Sequence, residues 1–232
     1  MRYLRYALFG LFFFLPAVAS AQLYNYVPPQ PYTSTLIGLR GGLGVANEAT
    51  PAYTNFTVSS RTGFMVGGQL DYWFTPSWAV SVQALYNQKG DFLTGTSPDN
   101  GLPETDDFAL SYLEVPVLAK VALSTSEVKP YLFAGPSVGF LLSATDHQIQ
   151  TYNGVTYSDQ TADVSTGYNS VDLSLLFGAG ISYQLSSGMQ IMADAGYALG
   201  LINVENTTNT GVNETLESRD IRIAASVMFP LQ

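Results

Sequence analysis

Residues 170–185 read S-V-D-L-S-L-L-F-G-A-G-I-S-Y-Q-L, and their alternation constrains this chain more than any other feature. Val171, Leu173, Leu175, Phe177, Ala179, Ile181, Tyr183 and Leu185 share one parity. Asp172, Ser174, Gly178, Gly180, Ser182 and Gln184 share the other, where Leu176 is the single large apolar residue. A period of two sends these sets to opposite faces of a strand. The run exceeds an ordinary strand of about 5–6 residues. A tilted strand crossing a bilayer needs about 9–11 residues, apolar towards lipid and small or polar towards a lumen. The stretch reads as a transmembrane β-strand.

The N-terminus agrees with export. Arg2 and Arg5 precede a short apolar core at 7–15, and Val18-Ala19-Ser20-Ala21 places small residues before a cleavage point at Gln22. Residues 1–21 are therefore expected to be a signal peptide, since the core is too short for a membrane helix. Beyond it no apolar run is long enough to span as a helix. Yet the chain is 47% hydrophobic and only 12% charged, with 21 Gly and 15 Tyr, against about 25% charged in a soluble domain. It has no Cys, so lipidation at the new N-terminus, disulfides and thiol chemistry are excluded. Residues 22–35, with Pro28, Pro29 and Pro31 among tyrosines, suit an extended periplasmic leader.

Seven further segments repeat the pattern: 36–45, 63–74, 78–89, 108–123, 131–143, 189–202 and 219–229. Connections alternate in length. Residues 75–77, 124–127 and 186–188 are tight turns, whereas 46–61, 90–107, 144–169 and 203–218 are long and polar. Outer-membrane barrels are strung in this way. The expected fold is all-β: an eight-stranded antiparallel up-and-down transmembrane β-barrel over residues 36–232. It would have four long extracellular loops, short periplasmic turns and both termini in the periplasm of a Gram-negative cell. Asn153-Gly154 predicts a two-residue hairpin turn inside the third long loop.

Several short motifs carry a resemblance. Leu85-Tyr86-Asn87-Gln88-Lys89-Gly90, Tyr112-Leu113-Glu114-Val115-Pro116-Val117-Leu118-Ala119-Lys120, Pro130-Tyr131-Leu132-Phe133-Ala134-Gly135-Pro136 and Phe177-Gly178-Ala179-Gly180 are similar to segments of PorT-like outer-membrane β-barrel proteins. The resemblance runs in order over most of the chain after residue 21. It implies a small barrel of the OmpA/OmpX type, and the namesake of the family assists a secretion system. The chain ends Phe229-Pro230-Leu231-Gln232 rather than on a terminal aromatic residue.

Without Arg2 and Arg5, seven basic residues face 18 acids, a net charge of −11. Four bases (Arg40, Lys89, Lys120 and Arg222) and four acids (Asp71, Glu114, Asp172 and Asp194) fall on inward parity. The lumen is thus expected to be neutral, with all the net charge in loops, turns and strand ends. A barrel of about eight strands is just wide enough for side chains to fill, and charges confined there must pair. Arg40 and Asp194 are expected near mid-depth and Asp71 and Lys120 nearer the periplasm. Lys89, Glu114, Asp172 and Arg222 are expected nearer the outside.

Catalytic signals are sparse. The lone His147 follows Asp146 with Ser143 nearby, but neighbouring residues on a strand point oppositely. No enzyme, cofactor or structural metal is expected. Asp99, Glu104, Asp106 and Asp107 form a weak candidate loop cation site without EF-hand spacing. Sequons begin at Asn55, Asn206 and Asn213, and Gly41-Gly42-Leu43-Gly44 sits within a strand rather than at a phosphate-binding turn. The acidic balance disfavours nucleic acid. Three functional classes stay open: a structural or surface-binding barrel acting through acidic extracellular loops, a narrow channel for small solutes, and a lipid-modifying enzyme. An accessory role in secretion is implied by the family resemblance alone. Expected partners are outer-membrane lipids, the machinery that assembles such barrels, and an external ligand or protein.

Overall fold

The structure, a computed structural model, describes residues 33–48, 56–185, 188–203 and 218–231. The expected signal peptide, most of the leader, parts of the first and fourth long connections, the turn residues 186–187 and the three sequon asparagines lie outside the described residues.

Nine strands follow in chain order: β1 (Ser34–Glu48), β2 (Phe56–Trp73), β3 (Trp78–Thr96), β4 (Pro103–Ala122), β5 (Val128–Tyr152), β6 (Val155–Asp163), β7 (Val171–Gln184), β8 (Gln190–Gly200) and β9 (Ser218–Leu231). A short 3₁₀ turn, Ser165–Gly167, precedes β7. Eight strands pair in the order β4-β3-β2-β1-β9-β8-β7-β5, and β4 pairs with β5 to close the ring. Every pairing is antiparallel, and the first and last strands zip together from Thr35↔Leu231 to Glu48↔Ser218. Closure leaves no free edge around the ring. β6 stands outside it, paired to the far half of β5.

The alternation that lipid demands is visible in burial. On β3, Trp78, Val80 and Val82 are exposed while Ser81, Gln83, Asn87 and Lys89 are buried. Large apolar side chains such as Leu39, Leu43, Val66, Leu132, Ile181 and Ile223 face outwards around the ring. Aromatic residues mark both borders of this belt: Tyr72, Phe74, Trp78 and Tyr183 near the short turns, and the Phe64–Tyr86 pair near the long connections. Inside, Leu36, Trp73, Leu118, Tyr131, Phe133, Leu176, Met192 and Met228 form an apolar cluster.

The strands outrun the segments read from periodicity. Residues 90–107 are not a loop: β3 and β4 continue as one ladder to Thr96↔Pro103, and only 97–102 turn. Likewise β1 reaches Glu48 and β2 starts at Phe56, and β1 begins two residues before the expected barrel boundary. The apolar face ends where lipid ends, but hydrogen-bonded pairing continues through polar, threonine-rich sequence that favours strand geometry. The third long connection rises as the β5–β6 hairpin. At its turn Asn153 and Gly154 have φ of 52° and 78°, the left-handed pair that a tight hairpin turn requires.

Two bulges sit at the upper border of the belt. One lies in β2 between Ser60 and Met65, opposite Gly90, whose φ is +135°. A Cβ at Gly90 would collide with the Phe108 carbonyl oxygen. The other inserts a residue into β5 where Ser111↔Ser143 gives way to Tyr112↔Leu141. It flips the parity of β5, so Gly139 faces in below the bulge and Ala144 faces in above it.

Candidate functional site

The inward charges assemble into two layers. In the layer nearer the short turns, Lys120 Nζ donates to Asp71 Oδ2 at 2.8 Å. Gln69 Nε2 donates to both Asp71 oxygens at 3.0 and 3.1 Å, and Ser226 Oγ donates to Gln69 Oε1 at 3.1 Å. Arg40 Nη1 reaches Ser226 Oγ at 3.2 Å. The Arg40 guanidinium then grips both Asp194 oxygens, at 2.8 and 2.6 Å. Tyr131 donates to Asp194 Oδ2 at 2.8 Å, and Lys120 Nζ lies 5.4 Å from the Tyr131 ring centre. The contacts thus return to their starting residue, tying β4, β2, β9, β1, β8 and β5 together across the lumen.

The second layer lies nearer the long connections and is centred on Glu114. Arg222 donates to Glu114 from Nη1 and Nη2 at 2.7 and 3.0 Å, and Lys89 Nζ approaches the same carboxylate at 2.6 Å. Lys89 also donates to Asp172 at 2.9 Å and sits 5.2 Å from the Tyr112 ring centre. Arg222 Nε donates to Asp220 Oδ2 at 2.7 Å. Space for this layer comes from missing side chains: a Cβ on Gly44 would lie 2.7 Å from Asp220 Oδ1.

The eight residues named from sequence all lie in these layers, and they meet as Arg40–Asp194, Lys120–Asp71 and Lys89/Arg222–Glu114 with Asp172. The expected neutrality does not hold. Asp220, assigned from sequence to the exterior, is 1% exposed and joins the second layer, so five acids face four bases. Its parity matches Arg222, Ala224 and Ser226, and that signal was available. Gln69, Ser226 and Tyr131, which link the charges, also share inward parity.

Between the layers lies a cavity of about 10 Å³ lined by Arg40, Met65, Gln83, Leu85, Phe133, Leu176, Asp194, Gly196 and Arg222. That is room for about one water molecule. Desolvated charges are tolerated here because the carboxylates at the centre of each layer have several donors.

Above the belt the acids behave differently. The four candidate cation ligands do not converge, because adjacent strand residues diverge. Glu104 and Asp106 face inwards and are buried, Asp107 lies half-buried on the other face against Arg61 Nε at 2.7 Å, and Asp99 is exposed near the β3–β4 turn. Glu104 accepts from Gln148 at 3.1 Å and Gln150 at 2.7 Å. Among the described residues no group of three or more His, Cys, Asp or Glu is placed to hold a metal ion. Burial, reinforced by Glu104 and Asp146, pushes the Asp106 carboxyl up to about 6. Burial and the neighbouring Asp107 raise Asp91 to about 6. His147 Nε2 contacts Asp159 Oδ1 at 2.8 Å on the exposed outer face, opposite the face to which Asp146 belongs. The Ser143/Asp146/His147 grouping is not assembled.

Residues 21–206 match the family described as "Outer membrane protein beta-barrel domain". The chain belongs to that family. It is therefore a transmembrane β-barrel of the outer membrane. No curated protein matches it in sequence. Among solved structures it is similar to Neisserial surface protein A, with 16% identity and a TM-score of 0.45 over 85% of this chain and 99% of that one. It is also similar to Ail of Yersinia pestis (15%, TM-score 0.39, 85% and 97% covered) and OprG of Pseudomonas aeruginosa (14%, TM-score 0.43, 85% and 94% covered).

Proposed function

We propose that this protein is a sealed barrel that holds an acidic β-sheet outside the cell, acting as a structural or surface-binding element rather than as a conduit or an enzyme. The observation that carries the proposal is the double charge layer, which crosses the lumen and leaves a gap of only about 10 Å³ between its halves. A solute channel needs a continuous polar path, and here the charged groups of both layers bind one another. The apolar cluster around Trp73, Tyr131 and Met228 favours the same reading.

In this proposal residues 1–21 direct export and are removed, the assembly machinery for outer-membrane barrels inserts the chain, and membrane lipids cover the belt. The short turns and both termini face the periplasm, with the raised hairpins outside. The four strand motifs resemble those of the PorT-like group, and service to a secretion system is the second reading. The binding chemistry follows from charge: no Lys or Arg occurs between Lys129 and Arg219, so the raised β5–β6 hairpin favours cationic partners.

Proteoliposomes of zwitterionic lipid bearing the whole barrel test this. They should capture fluorescent polylysine at low salt and release it at high salt. Changing the exposed Asp99, Asp159 and Asp163 together to Asn should lower capture. Capture no better than that of protein-free vesicles would overturn the surface-binding reading.

A further inference from the structure

Among the described residues β6 has one unpaired edge. It pairs with β5 on one side and ends the sheet order on the other. Strand edges present rows of backbone donors and acceptors, and proteins usually protect them with Lys, Pro or a bulge directed at the edge. The sequence of β6, V-T-Y-S-D-Q-T-A-D, contains neither Lys nor Pro, and its bulge, at Tyr157, lies near the hairpin tip and leaves Ser158–Asp163 in regular register. Every side chain on it except Ser158 is exposed, and Val155 and Tyr157 are 68% and 69% exposed.

Asp159, Thr161 and Asp163 share one face of the regular segment Ser158–Asp163. Asp159 and Asp163 thus form an acidic pair on one face beside the open edge. A second copy of β6 fits poorly. Antiparallel self-pairing about the strand centre sets Asp159 against its own copy, and like charges directly opposite destabilise a pair.

We infer that the β6 edge receives an extended cationic segment of a partner protein, which adds as one more antiparallel strand. The inference rests on the surface-binding reading and specifies its partner. Opposite Asp163, Thr161 and Asp159, the incoming strand carries Lys or Arg at two positions four residues apart. Backbone hydrogen bonds supply affinity and the two ion pairs set the register.

The probe is the peptide Lys-Thr-Val-Thr-Lys-Thr-Tyr-Thr-Val, titrated against the full barrel in detergent micelles by fluorescence anisotropy. Two N-methylated versions carry methyl groups on alternate amides of one parity or of the other. A strand seated on the edge uses amides of only one parity towards β6, so one version should lose binding and the other keep it. The Asp159→Asn/Asp163→Asn variant should bind about three- to tenfold more weakly, the worth of two cross-strand ion pairs. Equal binding of both methylated versions overturns strand addition, as does equal binding of a probe with Glu in place of Lys. If polylysine is captured while methylation has no effect, the surface-binding reading stands and the edge assignment falls. If neither polylysine nor the probe binds, both fall.

Discussion

Glu114 shows how a single residue serves this barrel. It is 1% exposed and receives two guanidinium nitrogens and one ammonium. Removing one member of a buried ionic cluster leaves the others uncompensated, at about 3–5 kcal/mol. Glu114→Ala should therefore lower the unfolding temperature in detergent, and Glu114→Gln, which keeps shape and one acceptor, should lower it less. Above the belt the sign reverses. Asp91 and Asp106 titrate near 6 in the folded protein against 3.8 ordinarily, so the folded state binds more protons between those values. Stability of the raised sheet is then highest below pH 4 and falls as pH rises through 4 to 6. Hydrogen exchange of the 91–96 and 103–108 ladder, corrected for intrinsic rates, should be slower at pH 5 than at pH 7. Asp91→Asn with Asp106→Asn should flatten that difference. Parity in the sequence was enough to place the eight named charges. It also marks Asp220, which lies within the 219–229 segment on the parity of Arg222.

At the scale of elements, lipid made the strands legible. A bilayer requires outward Val, Ile, Leu and Phe at every second position, so the 170–185 pattern and its repeats locate the belt. Outside lipid no such requirement acts. The extensions of β2 to β5 are held by backbone pairing between polar faces, which leaves little period-two signal in a single sequence. The β5 bulge was illegible for the same reason: an inserted residue between Ser143 and Leu141 pairing shifts parity without changing composition. The Asn153-Gly154 turn was legible because few residues accept positive φ. Gly154→Val places a β-branched residue at φ 78°, at a cost of about 1–2 kcal/mol. It should speed hydrogen exchange in 145–163 while leaving the thermal unfolding of the barrel nearly unchanged.

At the scale of the whole molecule, ring closure between β1 and β9 satisfies every strand edge within the belt, and the two charge layers brace the ring from within. The proposed orientation has a direct consequence. Proteinase K added to intact cells should cut within 144–169 and spare the 75–77 turn; the opposite pattern would invert the topology. The sealed lumen is the central claim, and single-barrel recording in planar bilayers tests it most directly. Wild-type protein should insert without steady conductance steps, and Lys89→Ala with Glu114→Ala should introduce leak. Stable ohmic steps in the wild type, diminished when bulky residues replace Gly44 or Gly196 beside the layers, would contradict the sealed lumen and make the barrel a channel.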